Sequence, residues 1–342
     1  MKRSVLLISL LACVLSFAHA QLKPAYTQYI QNNYIINPAL SGIENYFDVK
    51  LSYRNQWSGI NGAPVTTYFS IQGPIGNKRS ATLPASYNAD DNPRGKSYWE
   101  ECTAPAPHHG VGLIVMNDKT GYINRFSIYG TYAYHKGLSG KTSLAAGFLG
   151  GVTNVSLDRS KIEWGSLDPN DPAVGYANGT LAKATMELGA GLWLYSSDYY
   201  AGISALNIVP GKANFSQAAY RGYYSPQYLL TAGYKFFISN DLSAMPSAMV
   251  QLVQPFPMQL HLNAKVLYRD LLWLGASYRI SDELGGYAAM AGINISNTFN
   301  IGYSYDAATT SALRKYARNT NEIVIGFLLN NKEGDNCPRN NW

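Results

Sequence analysis

The sequence predicts an all-β protein: a transmembrane antiparallel outer-membrane β-barrel of about fourteen strands. Three observations carry this expectation. The first is strict alternation over residues 258–281. Met258, Leu260, Leu262, Ala264, Val266 and Tyr268 fall on one side, and Gln259, His261, Asn263, Lys265 and Arg269 on the other. A period of two belongs to a strand and not to a helix. Past a turn at Arg269-Asp270, Leu272, Leu274, Ala276, Tyr278 and Ile280 repeat the apolar row opposite Trp273, Gly275, Ser277 and Arg279. Strands of about ten residues with one greasy and one charged face suit a wall between lipid and a wet lumen. Taken alone, this hairpin fits a soluble sandwich as well. The second observation is composition. Charged residues make up 14% of the chain, well below the roughly 25% usual in soluble proteins. Aromatics reach 13%, with 27 Tyr, as barrels with aromatic girdles require. The third is loop length. Connections after strands four, six, eight, ten and twelve are short and those after five, seven and thirteen are long, matching short periplasmic turns and long external loops.

In chain order, residues 1–20 read as a secretory signal. Lys2 and Arg3 precede an apolar run over 5–17, and Ala18-His19-Ala20 forms the cleavage site. Leu10-Leu11-Ala12-Cys13 offers a rival lipobox reading, against which the apolar run continues past Cys13. Residues 21–46 have no strand period and read as an irregular N-terminal periplasmic lead-in. The barrel is expected over 47–330. Its strands fall at about 47–57, 64–73, 110–118, 124–136, 141–155, 184–196, 198–206, 226–238, 242–253, 258–268, 272–280, 285–296, 298–306 and 320–329. On strand one, Asp48, Lys50, Ser52, Arg54 and Gln56 face inward; on strand six, Glu187, Gly189, Gly191 and Trp193 do so. Residues 76–109 hold several Pro and Cys102 with no period and form an insertion, on the side where a tight turn is expected. Residues 331–342 form a polar C-terminal tail.

Past the signal no apolar run reaches the length of a membrane helix, so a membrane-spanning chain of this kind must close as a barrel. Setting Lys2 and Arg3 aside leaves 25 basic against 21 acidic residues, too small and scattered an excess for nucleic acid. No GxSxG, HExxH, phosphate-binding loop or CxxC pair occurs. His108-His109 reads as a solvated loop pair, and His135 and His261 as wet lumen lining. Glu187 with Lys265 or Arg279 forms an acid–base set only on paper, because barrel interiors carry such charge mixtures. Asp168-Pro169-Asn170-Asp171 lacks the Gly and Glu spacing of a calcium loop. No catalytic residue, metal site or cofactor is expected.

A set of short motifs is more specific. Gln28-Tyr29, Ile36-Asn37-Pro38-Ala39, Ser41-Gly42, Tyr53-Arg54-Asn55-Gln56-Trp57 and Gly62-Ala63-Pro64 follow one another, then Asn117-Asp118-Lys119, Leu206-Asn207, Leu230-Thr231-Ala232-Gly233-Tyr234, Trp273-Leu274-Gly275 and Gly302-Tyr303-Ser304-Tyr305-Asp306. In this order they resemble the PorP/SprF family of the type IX secretion system. The resemblance implies an outer-membrane barrel of Bacteroidetes-type bacteria. It implies a non-enzymatic role in secretion or surface attachment of large adhesins with C-terminal sorting domains, in some cases with gliding motility. The implied partners are periplasmic ring components, a peptidoglycan-binding lipoprotein, the secreted adhesin and outer-membrane lipid. A passive channel or transporter for a small or apolar solute is the alternative; inward Trp193, Tyr129 and Tyr68 argue for a partly filled lumen instead.

Two further expectations concern sites. Arg54, Gln56 and Trp57 with Gly62, Ala63 and Pro64 form a constriction or partner-docking lip. The competing reading pairs Arg54 with an inward carboxylate and places Trp57 in an aromatic girdle. Cys102 and Cys337 both fall on the periplasmic side by strand parity, where an oxidising compartment favours a disulfide if the two segments meet; otherwise they are two unpaired loop cysteines.

Overall fold

The structure, a computed structural model, describes residues 27–76, 96–100, 102–158, 180–209, 212–214, 221–223, 225–253, 256–269, 271–281, 285–296, 298–308 and 319–331. The signal segment, the acidic stretch 168–171, the turn residues Asp270 and Asn297, and the tail from 332 with Cys337 lie outside the described residues.

The barrel strands, numbered in chain order, are β1 Phe47–Asn55, β2 Val65–Ile75, β3 His108–Thr120, β4 Ile123–Gly137, β5 Ser143–Asp158, β6 Thr180–Tyr195 and β7 Tyr199–Leu206. They continue with β8 Gln227–Tyr234, β9 Leu242–Val253, β10 Gln259–Tyr268, β11 Leu272–Ile280, β12 Gly286–Ser296, β13 Phe299–Ala308 and β14 Thr320–Leu329. Each pairs antiparallel with its sequence neighbours, and β1 pairs with β14 from Phe47↔Leu329 to Asn55↔Asn321. The fourteen-stranded sheet therefore closes on itself and leaves no open edge, which a hydrocarbon solvent demands. Phe236–Phe237 extends β8 along β9, and Lys212–Asn214 with Arg221–Tyr223 forms a small hairpin between β7 and β8. All fourteen expected strands are present. The largest extension is at β6, which starts at Thr180 because Asp158↔Thr180 and the next pairs continue the β5 ladder above the apolar alternation.

The facing follows the side-chain period. Met186 is 70% exposed while its neighbour Glu187 is 2% exposed. Leu51, Ile128, Phe148, Leu188, Leu192, Ile203, Leu262 and Leu274 point outward as an apolar belt. Near the turn-rich end the belt is edged by Tyr132, Tyr134, Tyr234 and Tyr268, and near the loop-rich end by Tyr53, Phe126, Tyr228 and Tyr278. Two aromatic girdles around an apolar band mark the two faces of an outer membrane. By the loop-length rule, the end holding the starts of β1 and β3 is periplasmic.

The lumen departs from the expectation of a periplasmic lead-in. Residues 27–46 run through the barrel interior as three 3-10 turns, Thr27–Ile30, Asn33–Ile35 and Pro38–Leu40. Tyr29, Ile30, Tyr34, Ile36, Ala39, Leu40 and Ile43 are buried there among inward side chains of the wall. The apolar residues of this segment are what a water-exposed linker would avoid, and burying them inside the barrel removes that cost.

Candidate functional site

The plug is held by wall residues built for it. Tyr34 Oη lies 2.6 Å from Thr131 Oγ1, and Ser41 Oγ donates to the same atom at 2.7 Å. Asn37 Nδ2 donates to the carbonyls of Leu192 (3.1 Å) and Ile203 (3.2 Å), while its Oδ1 accepts from Ala39 N and caps the third turn. Ser204 Oγ donates to Ile36 O at 2.6 Å, and Asn263 Nδ2 donates to Tyr29 Oη. Wall glycines make the room. A β-carbon at Gly110 would strike the Ser41 backbone, one at Gly147 the backbone of Pro38 and Ala39, and one at Gly191 the Asn37 amide. These strands are cut to receive this segment at backbone contact.

His108 and His135 belong to the same device. Both are inward on β3 and β4, with rings stacked at 4.4 Å. Their Nε2 atoms bond the plug carbonyls of Gly42 (3.0 Å) and Ser41 (2.8 Å). This corrects the expectation of a loop pair at 108–109 and of wet lining at 135. His109 instead faces outward, with Nδ1 bonded to Tyr132 Oη at 2.6 Å. His261 is likewise buried, edge-on to Tyr29 at 6.0 Å. Among the described residues no group of three or more His, Cys, Asp or Glu is placed to hold a metal.

The tail of the insertion crosses the periplasmic turns. Its helix, Lys96–Glu100, seats Trp99 under the barrel, with Lys235 Nζ 3.2 Å from the centre of the indole and Phe237 at 6.5 Å. A cation on an aromatic face in a desolvated setting is worth about 2 kcal/mol. Ala104 N donates to Gly140 O at 2.8 Å, and Lys141 Nζ to Glu100 O at 2.7 Å. Cys102, two residues beyond this helix, is buried and disulfide-bonded.

At the opposite end, the six lip residues occupy the β1–β2 connection and its root. Arg54 is inside the lumen and 2% exposed, bonded through Nη1 to Glu322 (2.8 Å) and through Nη2 to Asp306 (3.3 Å). It anchors the wall below the rim and does not face outward. Gln56 N donates to Pro64 O at 2.9 Å and closes the loop. Trp57 takes φ 54°, a left-handed conformation costly for a bulky residue, and its N donates to Thr320 Oγ1 at 3.2 Å. Ser58 Oγ donates to Asn319 O at 2.8 Å, and Gly121 N to Gly62 O at 2.8 Å. The loop is thus laced to β14 on one side and to the β3–β4 turn on the other.

Between plug and rim lies a small, mainly apolar cavity of about 60 Å³. Sequence reasoning missed both cavity and plug. The available signal was apolar residues on the inward row, Ile114 and Met116 on β3 and Leu229 on β8, where a wet wall would be polar. The inward Trp193 that was read as filling is fully buried, stacked on Tyr200 at 4.7 Å. Glu187 accepts from Tyr129 Oη at 2.8 Å, and Lys265 lies 4.9 Å from the ring of Trp273, so the imagined acid–base set has other partners.

Comparison with known proteins adds the lineage. The family described as type IX secretion system membrane protein PorP/SprF matches residues 18–327. A sequence search of curated proteins returns no match. Among solved structures the chain is similar to the Ralstonia pickettii toluene transporter TbuX, at 11% identity over 87% of this chain and 94% of that one, TM-score 0.49. It is also similar to the Acinetobacter baumannii outer membrane protein Omp33, at 8% identity over 84% and 100%, TM-score 0.46. The Pseudomonas putida toluene transporter TodX is another, at 10% identity over 90% and 94%, TM-score 0.46.

Proposed function

The chain belongs to the type IX secretion system membrane protein PorP/SprF family, and from that premise we propose that it is a non-enzymatic accessory which supports secretion or surface attachment of large adhesins. Its place is the outer membrane. One observation carries the reading: the lumen is stoppered by residues 27–46 and its periplasmic end is crossed by the tail of the insertion. A barrel stopped from within offers its two ends to partners instead of a bore to solutes. On the outer side the lip of Gln56, Trp57, Gly62, Ala63 and Pro64, braced by Arg54, meets the adhesin with its C-terminal sorting domain. On the inner side the insertion, tied to the tail through Cys102 and Cys337, meets the periplasmic ring and the peptidoglycan-binding lipoprotein. Gliding follows where the displayed adhesin is a motility adhesin.

The test is removal of the gene in the host, followed by complementation with the wild-type chain and with Trp57→Ala. Adhesin display should be lost on deletion and lowered by Trp57→Ala at normal barrel levels. Unchanged display on deletion would overturn the secretion role; unchanged display in Trp57→Ala alone would remove the lip. The second reading, passage of a small apolar solute, draws on the cavity above the plug. Porin-like conductance of the purified wild-type barrel in a planar bilayer would favour it.

A further inference from the structure

Closure of the sheet is complete within the apolar belt and ends above it. β5 and β6 pair along their whole length, from Ser143↔Tyr195 to Asp158↔Thr180. β6 and β7 pair only from Tyr195↔Tyr200 to Ala190↔Ala205, and one further bond, Ile208 N to Leu188 O at 2.9 Å, ends the seam. The cause is local. Asn207 turns out of the ladder at φ 56°, a left-handed conformation that Asn tolerates. Pro210 has no N–H with which to continue it. Strand parity then fixes the edge. Leu188 turns its carbonyl toward β7, so Met186, Ala184 and Ala182 turn their backbone N–H and C=O the same way. Glu187, Thr185 and Lys183 serve the β5 ladder. Among the described residues no strand pairs with β6 above Leu188 on this side. Lys212–Asn214 comes near β6 but pairs with Arg221–Tyr223.

This edge stands outside the hydrocarbon. Along the ladders, Phe126 of the outer girdle falls in register with Ala184, and Tyr228 of the same girdle with Ala190. The strands are tilted, so the girdle crosses β6 midway between these two. Ala182, Ala184 and Met186 therefore lie at or above the outer surface. An open edge there is a template for another strand. Lipid has no ladder to offer it. A second barrel in the same membrane fails on geometry: a two-fold along the membrane normal crosses the two β6 strands by twice their tilt, about 80°. What fits is an extended polypeptide from the outer side. Ala182, Ala184 and Met186 make an apolar row, with Met186 70% exposed. On the other row Lys183 is partly exposed and has no ion-pair partner among the described residues. Between Ala182 and Ala184 it meets its opposite residue in the close, non-hydrogen-bonded kind of pair, where a carboxylate is favoured.

We propose that the upper edge of β6, from Ala182 to Met186, is a strand-addition site for an extended segment of the displayed adhesin, apolar on one row and acidic on the other. The naming of that partner rests on the secretion reading; the site itself does not. The probe is a capped, fluorophore-labelled peptide, Thr-Val-Thr-Val-Glu-Val-Thr-Val-Thr. Its Val row meets Ala182 and Ala184 when its Glu is set against Lys183. Fluorescence anisotropy with the full chain in lipid nanodiscs, and empty nanodiscs as control, gives the affinity. The peptide should bind saturably at one per barrel. N-methylation of the two Val beside Glu removes N–H groups aimed at β6 and should weaken binding about ten-fold or more. Lys in place of Glu should weaken it about five-fold. Ala184→Pro removes an N–H that faces the open side, so the chain should keep heat-modifiable mobility and lose the peptide. If that variant does not fold, the N-methylated peptide on the wild-type chain carries the same test. No saturable binding, as when the chain's own hairpin already closes the edge, overturns the site. Equal binding of the N-methylated peptide does so too, and equal binding of the Lys peptide overturns the acidic preference. In the host, Ala184→Pro should lower adhesin display at normal barrel levels. Normal display by a variant that has lost the peptide overturns the adhesin as partner; the gene deletion tests the secretion role separately.

Discussion

On the wall formed by β13, β14 and β1, inward charges neutralise one another: Arg54 with Glu322 and Asp306 at 2.8 and 3.3 Å, and Lys50 with Asp48 at 2.8 Å. On the facing wall, β5 to β9 turn Leu149, Trp193, Leu229, Met245 and Met249 inward, and here the small cavity lies. The charged wall is saturated because buried charge is tolerable only when paired. The apolar wall is covered from within: its side chains form one buried cluster with Tyr29, Ile35, Ile36 and Leu40 of the plug. Both walls of this lumen are thus satisfied from within, the charged one by ion pairs and the apolar one by the segment it holds, unlike the wet bore of a solvent-filled porin.

The contrast can be broken most severely at its charged side. Arg54→Ala removes the cation bonded to buried Glu322 and part-buried Asp306 and should cost about 3 kcal/mol, read as a lower denaturant midpoint for unfolding in lipid bilayers. Next in size is a charge on the lipid face. Leu262→Arg should cost roughly 2–4 kcal/mol in the same assay, whereas Gln251→Arg beside the cavity should cost about 1 kcal/mol or less. Equal losses at the two sites would refute the facing of β9 and β10. Within one strand, Met245→Ala and Met249→Ala, both buried in the cluster, should each cost about 2–5 kcal/mol, with Met249 at the lower end because it borders the small cavity. The smallest effect is covalent and local. Without reductant, alkylation followed by mass spectrometry should leave Cys102 and Cys337 unmodified and joined in one cross-linked peptide, and reduction should free both with little change in barrel stability. Labelling of Cys337 without reductant would separate the tail from the insertion.

The strands were legible because their cause is local: a two-residue period written by the lipid on one side and the lumen on the other. Leu262 beside Asn263 and Met186 beside Glu187 announce their faces without knowledge of any neighbour. The plug was not legible, because what fixes it is distant in sequence. Nothing near Asn37 announces Leu192 or Ile203, and Gly147 looks like any strand glycine until Ala39 is laid against it. The lip was half legible. Its loop chemistry could be read from Gly62 and Pro64, and the pairing of Arg54 with an inward carboxylate stood as one of two readings. Which carboxylates, Glu322 and Asp306, came only with closure of the barrel.

The plug also joins the barrel at a telling place. Its last residue, Tyr46, leads directly into Phe47, the first residue of β1, and Phe47↔Leu329 is the first rung of the ladder that sews β1 to β14. The stopper and the final seam thus hang from one peptide bond. In the closed barrel the segment lies against Gly110, Gly147 and Gly191 at distances that leave no room for a β-carbon, so the bore fits its contents with nothing to spare.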